Sequence, residues 1–217
     1  MTDDRKSGIA LIAGSLGLIL TMVMHPLPVS SLTAEQVMHL MVLSGVAHTI
    51  AMASALLLFL GACGLTRSIA APDRIAFSAV AIFGFACVAV LIATAVSGFI
   101  IPEIMKHMVR DAAENQHQWQ IVITSIFQIN QTFSRIYSVA TGLAIILWSV
   151  SGLRNGGFGR GAAIYGCVAS ALVIATVGSG LLRLDVHGMA AVVLAQAVWF
   201  ILIGSRLRSG PVTTATR

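Results

Sequence analysis

The chain has 217 residues, of which 57% are hydrophobic and only 10% are charged, and its mean hydropathy is +0.92. Ordinary soluble domains carry roughly 25% charged residues, so this composition excludes a soluble globular protein and indicates an integral membrane protein. The formal net charge of +5 does not require a nucleic-acid partner, because most basic residues lie at the ends of apolar segments, as membrane topology demands.

Six apolar runs are each long enough to cross a bilayer, which takes about 20 residues. In chain order they lie at about 8–25, 40–65, 75–101, 120–152, 161–182 and 187–205. They predict an all-α protein, a polytopic six-helix transmembrane bundle over residues 1–210 with a disordered tail at 211–217. The first run lacks a small-residue cleavage site, so it is predicted to be a retained helix and not a signal peptide. The three cysteines lie in separate runs without a CxxC motif and are interpreted as packing residues.

The connections between the runs carry helix signals. Thr33 and Gln36 have the spacing of a capping box, which predicts that the second helix begins near Ala34. Pro102 is predicted to kink or restart the third helix, and the polar stretch after it favours a surface helix and turn.

The basic residues predict the orientation. Nine of the thirteen fall on one side of the predicted bundle: Arg5, Lys6, Arg67, Arg74, Arg154, Arg160, Arg206, Arg208 and Arg217. The positive-inside rule then places both termini in the cytoplasm and the connections at 26–39, 102–119 and 183–186 outside.

All the histidines belong to the outer half under this topology: His25, His39, His48, His107, His117 and His187. His25, His48 and His187 each lie about eighteen residues, or about 27 Å, from the cytoplasmic end of their helix. Arg135 lies at the same depth in the fourth span. Polar groups are unfavourable within a bilayer, so one layer of them indicates a shared pocket. For His39, His107 and His117 a place in the polar outer loops is an equally good explanation.

Arg135 belongs to a polar stripe that is expected to face the bundle interior: Thr124, Gln128, Gln131 or Thr132, Arg135 and Ser138. Hydrogen bonding between helices is the alternative explanation for its amides and hydroxyls. Asp185 has three open roles: it caps the N-terminus of the sixth helix, pairs with Arg135, or orients a ligating histidine. His187 follows it in the first turn of that helix, where an interfacial role is the alternative to ligation.

These residues support several functions. The leading hypothesis is an outward-facing pocket of His25, His48, His187, Arg135 and Asp185 that binds a metal or haem, with the three histidines as metal ligands. Imidazole suits copper, zinc and iron, and nearby methionines favour copper(I); haem b would place a propionate near Arg135. The alternatives are a transporter or receptor for a small anionic or polar solute, a zinc-dependent hydrolase within the membrane, and a structural subunit without a ligand. The expected partners are the lipid bilayer and a small molecule.

Three segments carry a resemblance: "SGFIIPEI", "LAIILWS" and "LLRLDVHGMAAVVLAQAVW". They resemble a family of small bacterial six-span inner-membrane proteins without an assigned function. The resemblance implies a multi-pass protein of the bacterial inner membrane and brings no activity, cofactor or site residue.

The topology predicts the behaviour of reporter fusions. Alkaline phosphatase fused after residue 217 should be inactive, because it folds only in the periplasm, whereas green fluorescent protein at the same position should fluoresce. A phosphatase fusion after Asp111, in a predicted outer connection, is the control and should be active. An active phosphatase at the C-terminus would contradict the topology.

Overall fold

The computed structural model describes residues 3–25, 34–69, 74–111, 115–155 and 159–209. Its elements are α1 (Asp3–Met24), α2 (Ala34–Ser68), α3 (Arg74–Ala95), a π-helical segment (Val96–Ile100), α4 (Ile101–Arg110), α5 (Gln116–Asn155), α6 (Arg160–Gly178) and α7 (Val186–Ser209). Within those ranges there is no strand, and six helical spans are long and apolar enough to cross a membrane, with α3 and α4 together forming one of them. The predicted all-α bundle with six spans is therefore confirmed.

One of the local predictions is confirmed as well: Pro102 occupies the first turn of α4, where its missing N–H is tolerated. Helix α2 is described from Ala34 onward, in agreement with its predicted start. The predicted cap Thr33 and the predicted tail 211–217 lie outside the described residues. The fifth span ends at Gly178, earlier than the predicted 182, because the chain turns at Gly180, whose φ of 75° favours glycine.

The helices form a ring. Around it, α1 packs on α2, α2 on α3, α3 on α5, α5 on α6, α6 on α7, and α7 on α1. Helix α4 continues α3 through the π-helical segment and contacts both α2 and α5, so it leans over one end of the ring.

Small residues let α1 lie very close to its two neighbours. The Cα of Gly14 faces α2 so closely that a Cβ there would lie 2.8 Å from both the Leu58 Cγ and the Ser54 carbonyl oxygen. On the other side, Gly8 and Gly204 bring the backbones of α1 and α7 into contact. Close backbone approach is how membrane helices gain packing energy without a hydrophobic driving force.

An aromatic cluster fills the ring at one end. Phe83, Trp148, Trp199 and Phe200 are all fully buried, and the ring centroids of the contacting pairs are 5.2–6.5 Å apart. The indole N–H of Trp148 donates to the Thr66 hydroxyl at 3.0 Å, which ties α5 to α2. We call this the basic end of the bundle, because the helix ends nearest the cluster carry Arg67, Arg74, Arg154, Arg160 and Arg206.

The glycine contacts predict a difference between two matched substitutions. Gly14→Ala should destabilise the bundle, because overpacking costs about 1–3 kcal/mol and exceeds the roughly 1 kcal/mol that alanine adds to helix propensity. Gly161→Ala is the control, since a Cβ there meets nothing within 4 Å. Thermal denaturation in detergent should show a lower midpoint for Gly14→Ala only. Equal midpoints would show that α1 and α2 are not so closely packed.

Candidate functional site

A cavity of about 540 Å³ occupies the opposite end of the ring from the aromatic cluster. Its walls come from the end of α1, the first half of α2, the end of α3, α4, the middle of α5 and the start of α7. Most of the lining is apolar, and the polar residues along it are Thr21, His25, Ser44, His48, Thr94, Ser97, Asn130, Gln131, Ser134, Tyr137 and Asp185. A pocket of this size, apolar with a few polar groups, is typical of small-molecule sites.

His48 is the buried imidazole of the site, with 4% of its surface exposed. Its Nδ1 lies 2.8 Å from the carbonyl oxygen of Ser44, one turn earlier in α2. A carbonyl oxygen only accepts hydrogen bonds, so the proton of the neutral ring is on Nδ1 and Nε2 carries the lone pair. The backbone of α2 therefore fixes both the orientation and the tautomer of this ring.

The π-helical segment makes room for His48. The N–H of Ile101 bonds to the Val96 carbonyl, and Pro102 has no N–H, so the Ser97 carbonyl loses its usual helical partner. The Ser44 hydroxyl donates to that carbonyl at 3.3 Å. Beside it, a Cβ on Gly98 would lie 2.8 Å from the His48 Cγ, so only glycine fits there. Contact with Gly98 covers the Cβ and Nδ1 side of the ring, and His48 also lines the cavity.

His25 lies next to His48. It is the residue after α1, half-buried, and its ring centroid is 5.3 Å from that of His48, with the planes at 68°. Thr21 holds this end of α1 against α2, because its hydroxyl lies 3.2 Å from the Ala47 carbonyl. The structure thus brings together two histidines that are 23 positions apart in the sequence.

Asp185 caps α7, as one of its predicted roles required. Its Oδ1 accepts the Gly188 N–H at 2.9 Å. The connection before α7 is held to α5 by Gln131, whose amide donates to the Leu184 carbonyl at 3.0 Å. Asp185 is exposed and lies on the wall of the cavity, so it contributes negative charge there.

Arg135 and His187 do not join the other three residues. Both are exposed on the outside of the bundle, and neither lines the cavity. The structure therefore brings His25, His48 and Asp185 to one cavity, whereas Arg135 and His187 do not line it. At about 100° per residue, Arg135 lies one step past the lining residue Ser134, and His187 lies one step past Val186, so both face outward.

Most of the polar stripe on α5 is exposed, as Arg135 is. Thr124, Gln128 and Thr132 are exposed, whereas Gln131 is half-buried and Ser138 is buried. The expectation that the stripe faces the interior is wrong for its exposed members, because Tyr137, Thr141 and Trp148 form the buried face. Arg135 lies 19 residues from Arg154, which is about 29 Å and close to the roughly 30 Å apolar thickness of a bilayer. Long arginine side chains near the ends of membrane spans generally extend toward the lipid headgroups, so we expect the same of Arg135.

The arrangement restricts the metal chemistry. In the part of the chain that the structure describes, no three side chains of histidine, cysteine, aspartate and glutamate converge on one point. A zinc site with three or four such ligands, which His25, His48 and His187 were expected to form, is therefore not supported. Two axial imidazoles on opposite faces of a haem stand roughly 6 Å apart between centroids, so the 5.3 Å of His25 and His48 is too short for that pair.

Sequence reasoning missed Ser44 and Gly98. Ser44 precedes His48 by one turn, a spacing at which a helix carbonyl meets an imidazole. Gly98 lies four residues before Pro102, next to Ser97, whose carbonyl this proline leaves without a helical partner. Both spacings can be read from the sequence, but neither indicates which helix packs against Ser44 or Gly98.

No family model matches the chain, and no curated protein and no solved structure matches it either. The site is therefore interpreted from its own residues, and the resemblance to six-span inner-membrane proteins stays a prediction.

The cavity predicts which of two neighbouring serines is reachable. In a variant without the native cysteines, Ser134→Cys should react with a small methanethiosulfonate reagent, because Ser134 lines the cavity although only 7% of it is exposed. Ser138→Cys is the control one turn deeper, at 0% exposure, and should react far more slowly. Equal rates at the two positions would contradict a cavity that ends between them.

Proposed function

We propose that this protein is a multi-pass protein of the bacterial inner membrane that binds a small, largely apolar molecule in the cavity. Both termini lie in the cytoplasm, and the cavity opens toward the periplasm. Lipids surround the bundle and position Arg135. The ligand places its apolar part against the methionine and aliphatic side chains and its polar group beside His25 and His48.

One observation carries this proposal: an apolar cavity of about 540 Å³ has a buried imidazole with a fixed tautomer on its wall. Burying an imidazole in a bilayer is unfavourable unless both ring nitrogens are satisfied. Nδ1 of His48 is satisfied by the protein, and its Nε2 is the acceptor that a ligand hydroxyl or amide would meet. Binding of a small molecule with one polar group accounts for both the volume and the polarity of the site.

The charge of the wall argues against a small anionic solute, which was one of the alternatives that the sequence left open. Among the described lining residues, Asp185 is the one lysine, arginine, aspartate or glutamate, and Arg135 lies outside the cavity. A small anion would therefore meet a carboxylate and no fixed positive charge. A neutral or weakly cationic amphipathic molecule fits this electrostatic environment better.

A substitution that fills the cavity tests the proposal. Ala93→Phe places a ring in the cavity, and Ala81→Phe is the control on an exposed face of the same helix. Native mass spectrometry of protein released from detergent should show one small-molecule adduct on the wild type and on Ala81→Phe. Occupancy of Ala93→Phe should fall about tenfold, which corresponds to a steric cost of about 1.4 kcal/mol. Absence of the adduct from the wild type, or equal adducts on both variants, would contradict the proposal.

A further inference from the structure

An apolar groove of about 360 Å³ lies between α6 and α7, and none of its lining residues lines the cavity. Small side chains open the groove, such as Ala169 on α6 and Ala195 on α7. Leu181 and Leu182 border it where the two helices are connected. At its other end, the Tyr165 hydroxyl donates to the Ala195 carbonyl at 3.0 Å and ties α6 to α7.

The groove has the length and depth of one lipid leaflet. On α6 its lining extends from Ala169 to Thr176, which is about 10 Å along the helix axis. One leaflet of a hydrocarbon core about 30 Å thick measures about 15 Å. An acyl chain is therefore the apolar group that a membrane brings to this groove.

Arg135 lies just beyond the end of α6. Helices α5 and α6 pack on each other, and a Cβ on Gly142 would lie 3.1 Å from the Ile174 Cγ1. From that contact Gly178, the last residue of α6, is four residues away, whereas Arg135 is seven residues away along the antiparallel α5. At 1.5 Å per residue, Arg135 is about 4.5 Å past the end of α6.

Arg183 joins Arg135 at this end of the groove. The Gln131 amide of α5 donates to the Leu184 carbonyl at 3.0 Å, which holds α5 beside the connection between α6 and α7. Arg183 directly precedes Leu184. Arg135 follows Gln131 by one helical turn, a spacing at which Cβ atoms are about 5–6 Å apart. Both guanidiniums therefore extend from backbone segments that one hydrogen bond joins.

The two positive charges have no acidic partner in the described part of the chain. Arg135 and Arg183 are both exposed, and neither guanidinium forms an ion pair or a hydrogen bond there. Asp185 is the carboxylate nearest to Arg183 in the sequence, but it accepts the Gly188 N–H and lines the cavity, whereas Leu182 lines the groove. The end of the groove thus presents a net positive charge.

We propose that the groove binds an acyl chain of one anionic phospholipid, whose phosphate contacts the guanidiniums of Arg135 and Arg183. The planar fork of N–H donors in arginine matches two oxygens of a phosphate. Gln128 is exposed two turns before Arg135, on the same face of α5, and lies at the height of the rest of the headgroup. The lipid therefore gives the exposed polar stripe of α5 a role that the cavity does not.

Lipid titration of the purified, delipidated protein tests the charged part of the site. Native mass spectrometry should show one tightly bound phosphatidylglycerol per chain, held about tenfold more tightly than phosphatidylcholine with the same acyl chains, whose choline brings a like charge to the arginines. Arg135→Gln and Arg183→Gln should each weaken phosphatidylglycerol binding about tenfold, because a hydrogen bond to a charged group is lost. Arg208→Gln is the control, since it removes an exposed arginine at the basic end.

Two exposed alanines test the groove itself. Ala191→Phe places a ring in the groove, and Ala171→Phe places one on an exposed position of α6 that does not line it. Ala191→Phe should weaken phosphatidylglycerol binding about tenfold, whereas Ala171→Phe should bind it like the wild type. Neither position is buried, so both variants should fold.

Three results would overturn the inference: equal affinities for the two lipids, equal losses in Arg135→Gln and Arg208→Gln, or binding that Ala191→Phe leaves unchanged. Failure of the proposed function is a separate outcome, because the groove and the cavity share no lining residue. Ala93→Phe, which fills the cavity, should bind phosphatidylglycerol like the wild type.

Discussion

Inside a bilayer a buried hydroxyl or imidazole has no water to bond with, so each polar side chain of this bundle needs a partner in the protein or in a bound molecule. Many hydroxyls meet this constraint locally: for example, Ser54 donates to the Ile50 carbonyl at 2.7 Å, and Thr94 donates to the Val90 carbonyl at 2.8 Å. His48 uses the same spacing with its Nδ1. An imidazole has a second nitrogen, however, and we propose that a molecule bound in the cavity, which His48 lines, is the partner of that nitrogen.

The two ends of the helix ring differ in how their interior is filled. At the basic end, bulky aromatic rings fill the interior, and glycines bring α1 against α2 and α7. At the other end, small residues such as Ala51, Ala93 and Ser97 line the wall and leave space. The π-helical segment connects α3 to α4. Its extra residue turns the chain, so that α4 leans over the cavity. The basic end is therefore filled by side chains, whereas the opposite end keeps the space that a bound molecule would occupy.

The sequence was informative where the signal is local or depends on length. Apolar runs identified all six spans, Pro102 marked the restart of the third helix, and capping was one of the three roles that the sequence left open for Asp185. Counting residues along each helix also placed His25 and His48 at a common depth, and their rings are neighbours. The depth of a residue along its helix does not determine the direction of its side chain, because the rotation of the helix is set by packing against its neighbours. Arg135 and His187 faced outward for that reason, and the contact between Gly98 and His48 depends on two helices whose pairing no single segment reveals.

The central claim is that His25 and His48 share one wall of a ligand-filled cavity, at the end of the six-helix ring opposite the aromatic cluster. An X-ray structure of the protein crystallised from a lipidic mesophase tests it most directly. The account predicts continuous non-protein electron density in the cavity, in contact with the imidazoles of His25 and His48, and an Arg135 side chain that points to the lipid headgroups. A structure in which α4 and α5 close over a cavity-free interior, or in which His48 faces lipid, would contradict it.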